Sequence, residues 1–428
     1  MSARIFCFLL LVVSPFGMLG AQRSYPTLWS PALAERPDVK SALTYLERNF
    51  PKQVEEWIRI AEMPGKSEHE QERGVYLRRM MEAEGMSVTV DSIGNVVGRL
   101  KERRPGPTIV FAAHIDIVHP PATDLTVRRD GDTLRAPGIF DNSASVANML
   151  AVIRAMRAAA IKTAANFVFI GTTQEELGLR GMDYWLEHNP KPDILVAMDG
   201  GLGPINYGAL GIYWTRYFFT GPGSHTVTSR GKPTPVKALA DAIGQVYALR
   251  FPPLPNGAVA NVGQVHGGAI FNGIPQELYF TMDLRSPNPA LLDSLDGEID
   301  RVVVAAARQE GVETRKEIVQ HNRAGGTEAM LTNARSHPIV QTAIDVHNFL
   351  GIDIGPSGKD AVATGSTDAN MGVVRGIPSI SIGRSVGGNQ HTLSEWAYWP
   401  SALPAAKMVL LLAVALSDGT AATSRVVQ

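Results

Sequence analysis

Short apolar runs bounded by turn-forming residues alternate with longer stretches of helical periodicity along most of the chain. Residues 38–62 and 67–85 carry helical patterning, and the second stretch, SEHEQERGVYLRRMMEAEG, is charged on one side and stops at Gly85. Ser87–Asp91 and Asn95–Leu100 alternate like strands around the turn Ser92–Gly94. Pro107–Ala113 reads as a buried strand, Ser143–Ile161 as an Ala-rich helix and Asn166–Thr172 as a strand. Leu177–His188 reads as a helix and Asp193–Met198 as a further strand. Strands and helices alternating in this order predict an α/β layer architecture on a mostly parallel sheet.

The pattern changes near residue 208. Gly211–Thr220 (GIYWTRYFFT) is a long aromatic strand, and Pro235–Leu249 is a helix opened by a proline. Ala258–Val265 and Glu277–Leu284 read as strands, Pro289–Gln309 as a helix and Glu313–Gln320 as a strand. That succession is β-α-β-β-α-β, the ferredoxin-like order. The segment HNRAGG at 321–326 is its expected exit. Helix Pro338–Leu350, strand Ser379–Ile382 and helix Pro400–Leu416 then resume the first pattern. A small α+β domain (209–322) is thus expected to be inserted into a larger α/β one (22–208 and 323–428).

The first 21 residues stand apart. Arg4 precedes an unbroken apolar run from Ile5 to Val13, which Ser14, Pro15 and Gly17 end. The run is shorter than the roughly 20 apolar residues that a membrane span needs. It has the form of a secretory signal peptide, predicting a chain exported to the periplasm or beyond, with no membrane association after cleavage. Its removal would take away Cys7, the only cysteine. One cysteine excludes an internal disulfide and a thiolate cluster, so any metal must be held by His, Asp and Glu. With 40 Lys+Arg against 41 Asp+Glu, the net charge is −1, and nothing in the charge balance points to nucleic acid.

The chemistry-bearing residues collect at segment ends. His114 and Asp116 lie in TIVFAAHIDIV, on one face at the end of a strand. Ligands of α/β proteins bind just past the C-terminal ends of parallel strands. An Asp two residues from a His can orient it; solvated strand-end polarity is the plainer alternative. Asp141, in APGIFDNSASV, stands before a helix and could serve only as its N-cap. Glu175 and Glu176 follow strand NFVFIGTT, and adjacent carboxylates repel unless a cation or proton is shared. A helix dipole could tolerate them; alternatively one binds metal and the other acts as a general base. Asp199 ends ILVAMD, and His391 lies in GGNQHTLSEWAY. Each signal alone is weak. Together, two His and several carboxylates at successive segment ends, without Cys, suit a two-metal hydrolytic centre of zinc-like ions.

These stretches resemble the di-zinc exopeptidases and deacylases that include peptidase T, glutamate carboxypeptidase, aminoacylase and succinyl-diaminopimelate desuccinylase. The matching motifs are HIDIV, APGIFDNSASV, TTQEELG, AMDGG and QHTLSEW, with GPGSHT and NGIPQELYFTMDLRS in the inserted block. The resemblance runs from about residue 38 to 417. It implies that His114 and Asp199 hold one zinc, that Glu176 and His391 hold the other, and that Asp141 bridges them. It implies further that Asp116 orients His114 and that Glu175 is the general base. Cobalt or manganese are possible substitutes for the two zinc ions. The inserted domain corresponds to the family's lid, often also its dimerisation domain, so a homodimer is expected. His225 matches a histidine that reaches the partner's site, Arg285 an arginine that binds the substrate's free carboxylate, and Asn261 and Gly365 positions lining the same pocket. The expected substrate is a di- or tripeptide with a free carboxylate, or alternatively an N-acyl amino acid. A non-catalytic binding protein is the remaining class, opposed by the presence of every metal position and the base.

Overall fold

A computed structural model describes residues 26–99, 105–254, 257–323, 325, 335–354 and 365–426. The expected signal peptide, 1–21, lies outside the described residues. Two sheet-based units are formed, and the fold is α/β with a parallel-rich main sheet.

The main sheet has the order β1-β2-β6-β3-β7-β14. β1 (Ser87–Val90) and β2 (Val96–Arg99) form the antiparallel edge; β6 (Asn166–Thr172), β3 (Thr108–His114), β7 (Ile194–Met198) and β14 (Ser379–Ile382) run parallel. Both faces of the parallel strands are buried, which is why they read as unbroken apolar runs. The two-residue period assigns alternate side chains to opposite layers. Ile109, Phe111 and Ala113 join Phe167, Phe169, Val196 and Ile380 in one core; Val110, Ala112, Val168, Ile170 and Leu195 join another. The first core is closed by α1 (Pro31–Glu35), α2 (Pro37–Ala61), α4 (Ala144–Ala158), α8 (Pro338–Leu350) and α10 (Ala402–Val426), with α3 (Gln71–Ala83) at its margin. The second is closed by α5 (Arg180–His188) and α9 (Ala369–Val373). The stretch Trp399–Gly419 is long and apolar enough to cross a membrane, yet it is mostly buried among these helices.

The second unit has β8 (Gly211–Thr220), α6 (Pro235–Ala248), β10 (Val259–Gly267), β12 (Glu277–Ser286), α7 (Pro289–Glu310) and β13 (Glu313–Asn322). Its sheet order, β10-β12-β8-β13, is antiparallel throughout, the arrangement a ferredoxin-like β-α-β-β-α-β chain makes. Alternate residues of the aromatic strand, Tyr213, Tyr217 and Phe219, pack with Phe280, Leu292 and Ile299 under α6 and α7. β9 (Ser224–His225) pairs with β11 (Gly273–Ile274) beside this sheet.

Three departures from the sequence expectation bear on the site. α5 starts at Arg180, not Leu177, so Glu175 and Glu176 lie in a turn rather than on a helix N-terminus. The last helix starts at Ala402 after a 3₁₀ turn, Trp399–Ser401. A four-stranded ribbon, β15-β16-β5-β4, was not foreseen. Its strands, β4 (Arg128–Asp130), β5 (Thr133–Arg135), β15 (Val386–Gly388) and β16 (Trp396–Tyr398), have three residues each, too few to show a period.

Candidate metal centre

β3 carries His114 to its last position, beside Thr172 of β6. The imidazole is buried, at 2% exposure. Its Nδ1 lies 3.3 Å from Asp116 Oδ1, and its Nε2 lies 3.1 Å from Asp141 Oδ1 and 3.9 Å from Asp199 Oδ2. Asp116 is fully buried and does more than face His114. It accepts the Ser67 hydroxyl at 2.7 Å and the backbone N–H groups of Glu175 and Glu176, each at 3.1 Å. One carboxylate thereby fixes both the histidine ring and the turn that presents the glutamate pair.

Asp141 arrives from a kink in non-helical conformation (φ −105°, ψ 99°) between the ribbon and α4. Its role as a cap is not realised, since α4 follows Ser143 and makes no side-chain cap hydrogen bond. The kink is held by Glu395, which accepts N–H bonds from Gly138, Phe140 and Asp141 at 2.8–3.0 Å. Gly138 is required there: its φ is +72°, and a Cβ would meet the Ile117 side chain at 2.6 Å. Asn142 donates to the Met198 carbonyl, which ties the kink to the end of β7.

Asp199 follows β7, and its N–H donates to the Ile382 carbonyl on β14. Gly383 lets the two segments meet, since a Cβ would lie 2.2 Å from the Gly201 carbonyl oxygen. The next residue, Arg384, is 2% exposed and pairs with both Asp141 (3.1 Å) and Asp199. His391 sits between β15 and β16 at φ +62°, half exposed. Its Nε2 lies 3.0 Å from Glu176 Oε1 and 3.5 Å from Asp141 Oδ2.

Asp141 therefore offers one oxygen to the His114 side and the other to the His391 side. Two sets of donors have ligand atoms that all lie within 4.8 Å of one another inside each set: His114, Glu175 and Asp199; and His114, Asp141 and Glu176. Nitrogen and oxygen donors without sulfur suit a zinc-like or harder divalent ion. The residues fit such divalent ions: the two donor sets have His114 in common, and Asp141 faces both histidines.

Electrostatics separates the carboxylates. Burial pushes Glu175 well above the usual carboxylate range, and the Asp199 and Glu176 charges add to that. Burial also raises Glu176 and Asp199. Asp141 stays well below it despite burial, because Arg384 and the two histidines favour its charge. Burial opposes the imidazolium of His114, but Asp116 and Asp141 outweigh it and raise its pKa. Hydrogen bonds to Asp141 and Glu176 lift His391 to about 10.

Seven of the sequence candidates are thus brought together: His114, Asp116, Asp141, Glu175, Glu176, Asp199 and His391. Four are not joined to them by any contact among the described residues. His225 is exposed beside Asn272. Asn261 and Arg285 lie on the second unit's sheet, where Asn261 is paired across from Asp283, and Arg285 donates to Asp283 at 2.9 Å. Gly365 closes on Asn206 and accepts the Leu210 N–H. His119, three residues past Asp116, is buried at 6% exposure.

Sequence reasoning missed Arg384, Glu395 and Asp368. Asp368 is buried, accepts the Thr172 hydroxyl at 2.5 Å, and is raised by burial to about 7. Arg384 stands two residues past the buried strand SISI, the same strand-end signal that marked the acidic residues, but with a cation in place of an anion.

The peptidase family M20/M25/M40 model matches residues 110–415. The chain belongs to this family, and the site is that of a metal-dependent hydrolase. Its fold is shared with a tripeptidase from Staphylococcus aureus (TM-score 0.69, 20% identity, covering 86% of this chain and 99% of that one). It is shared also with YxeP of Bacillus subtilis, described as a dinuclear metal-binding peptidase from the M20 family (TM-score 0.62, 17% identity, 87% of this chain and 99% of that one). The N-carbamoyl-L-amino-acid amidohydrolase of Rhizobium meliloti is 29% identical over 154 residues, 34% of this chain and 36% of that protein.

Proposed function

We propose that this chain is an exported di-zinc exopeptidase that hydrolyses amide bonds of short peptides bearing a free carboxylate. The division of Asp141 between His114 and His391, with Glu175 buried alongside, carries this reading. His114 and Asp199 would hold one ion, Glu176 and His391 the other, and Asp141 both. When bound there, such ions polarise a carbonyl and lower the pKa of a water to about 7.

Glu175 takes the proton from the attacking water and returns it to the departing amine. Burial holds its pKa above the usual carboxylate range, which favours its keeping the proton between the two halves of that transfer. Asp116 holds the His114 ring and the backbone of Glu175 in one frame, so the base keeps its place beside the histidine. The second unit acts as a lid that supplies Arg285 for the substrate carboxylate and His225 for the developing oxyanion. Arg285 forks onto a carboxylate, Asp283, a pairing that the substrate carboxylate would have to replace. The hydrophobic run after Arg4 supports export. Hydrolysis of N-acyl amino acids is a second reading, favoured by the amidohydrolase relative.

Metal analysis should find about two divalent ions per chain, and a chelator should abolish activity that zinc, cobalt or manganese restores. A mixed library of dipeptides, tripeptides, their C-terminal amides and N-acyl amino acids, read by mass spectrometry, separates the two substrate readings. Full activity in metal-free protein would end both, and equal cleavage of amides and free acids would remove Arg285 from the site.

A further inference from the structure

Arg384 is an arginine with almost no solvent exposure, placed among the carboxylates expected to bind cations. Its guanidinium spans Asp141 Oδ1 and Asp199 Oδ1 and also reaches Asn142 Oδ1 at 3.3 Å. The face of the Phe140 ring lies 4.2 Å from its Cζ, and its Nε has no hydrogen-bond partner among the described residues. Two neighbouring carboxylates of the cluster have neutral or histidine partners: Asp116 has Ser67 and two N–H groups, and Glu176 has His391. Among the described residues, the Asp199 carboxylate has one hydrogen-bond partner, the Arg384 guanidinium. Burying a carboxylate without a counter-charge is costly, and removing one partner of a buried pair leaves the other exposed to that cost.

We propose that Arg384 is a resident counter-cation of the metal centre. It neutralises Asp141 and Asp199 in protein without ions, and its fork leaves Asp199 Oδ2 turned to His114 and Asp141 Oδ2 turned to His391. The centre is then assembled before metal arrives, and each incoming ion meets a carboxylate pair whose charge is already partly offset. Arg384 acts through these two aspartates and is a positioning residue. The inference rests on the reading of this cluster as a metal centre.

The test compares full-length wild type, R384Q and R384K as metal-free and as zinc-saturated protein, by thermal denaturation and zinc titration. R384Q should lower the metal-free Tm by about 2 °C more than the zinc-loaded Tm, because zinc takes over the neutralising role. By linkage, its zinc affinity should rise about tenfold over wild type. R384K keeps the charge without the fork and should hold most of the metal-free stability. An R384Q protein that folds only with zinc would support the proposal in its strongest form. Equal Tm losses with and without zinc, or a weaker zinc affinity in R384Q, would overturn it. If R384Q folds in neither state, R384K decides: a Lys variant as defective as the Gln variant removes charge from the explanation. Wild type that takes up no divalent ion would instead sink the metal reading, which the ion count reports separately.

Discussion

Glu175 and Glu176 are neighbours with different surroundings. The turn after β6 sends Glu175 toward His114 and Asp199 and Glu176 toward His391 and Asp141. Had α5 begun at Leu177, both would have stood on a helix N-terminus with its dipole as a sufficient explanation. It begins at Arg180, and Asp116 receives the two N–H groups instead. Glu175→Gln should keep its metal and lose on the order of 10²–10⁴ in turnover, the range general-base loss costs. Glu176→Gln should release or weaken one ion. Metal titration of the two variants checks the split, and identical curves would refute it.

At the level of elements, strand ends and short ribbons deliver the site, and ion pairs between helices hold the frame. Arg36, at the entry to α2, pairs with Asp38 and with Asp418 on α10, both at 2.6 Å. The Arg36 hydrogen bond pulls Asp38 from its ordinary value near 4 down to about 2. A depressed carboxylate stabilises the fold above its unfolded pKa, and the contribution fades as pH falls from about 4 through about 2. The pair is partly solvated, so about 1 kcal/mol is expected at pH 7. Urea unfolding of wild type and Asp38→Asn should show that gap at pH 7 and a smaller one at pH 3. A gap that does not shrink would remove the Arg36 pair as its source.

Across the whole molecule, the cluster lies in the first unit and His225 in the second. A histidine on a separate unit reaches the reacting carbonyl by closure of its own chain or from a second chain. The resemblance noted for GPGSHT favours the second chain, with two-fold pairing of the ferredoxin-like units. Inactive His225→Ala mixed with inactive Glu175→Gln should regain activity as subunits exchange, since a mixed dimer holds one wild-type metal centre facing one wild-type His225. Proven exchange without recovered activity would place His225 in its own chain's site or outside the chemistry.

Periodicity was enough to read the layers, and strand-end chemistry singled out His114, Asp116, Glu175, Glu176 and Asp199 as candidates. β6, β8, α8 and β14 have the limits that their apolar runs predict, because buried strands and proline-started helices announce themselves locally. Asp141 shows the limit of that reading: before an Ala-rich helix it is indistinguishable from a cap until Glu395, more than two hundred residues on, fixes the kink that turns it to two histidines. Arg384 and Asp368 were invisible for the same reason. A buried charge is defined by its partners, and those partners come from strands distant in sequence. Sequence settled which donors exist and the limits of the long buried strands. Tertiary packing decided which oxygens face one another, because only the parallel sheet brings the ends of β3, β6, β7 and β14 to one edge.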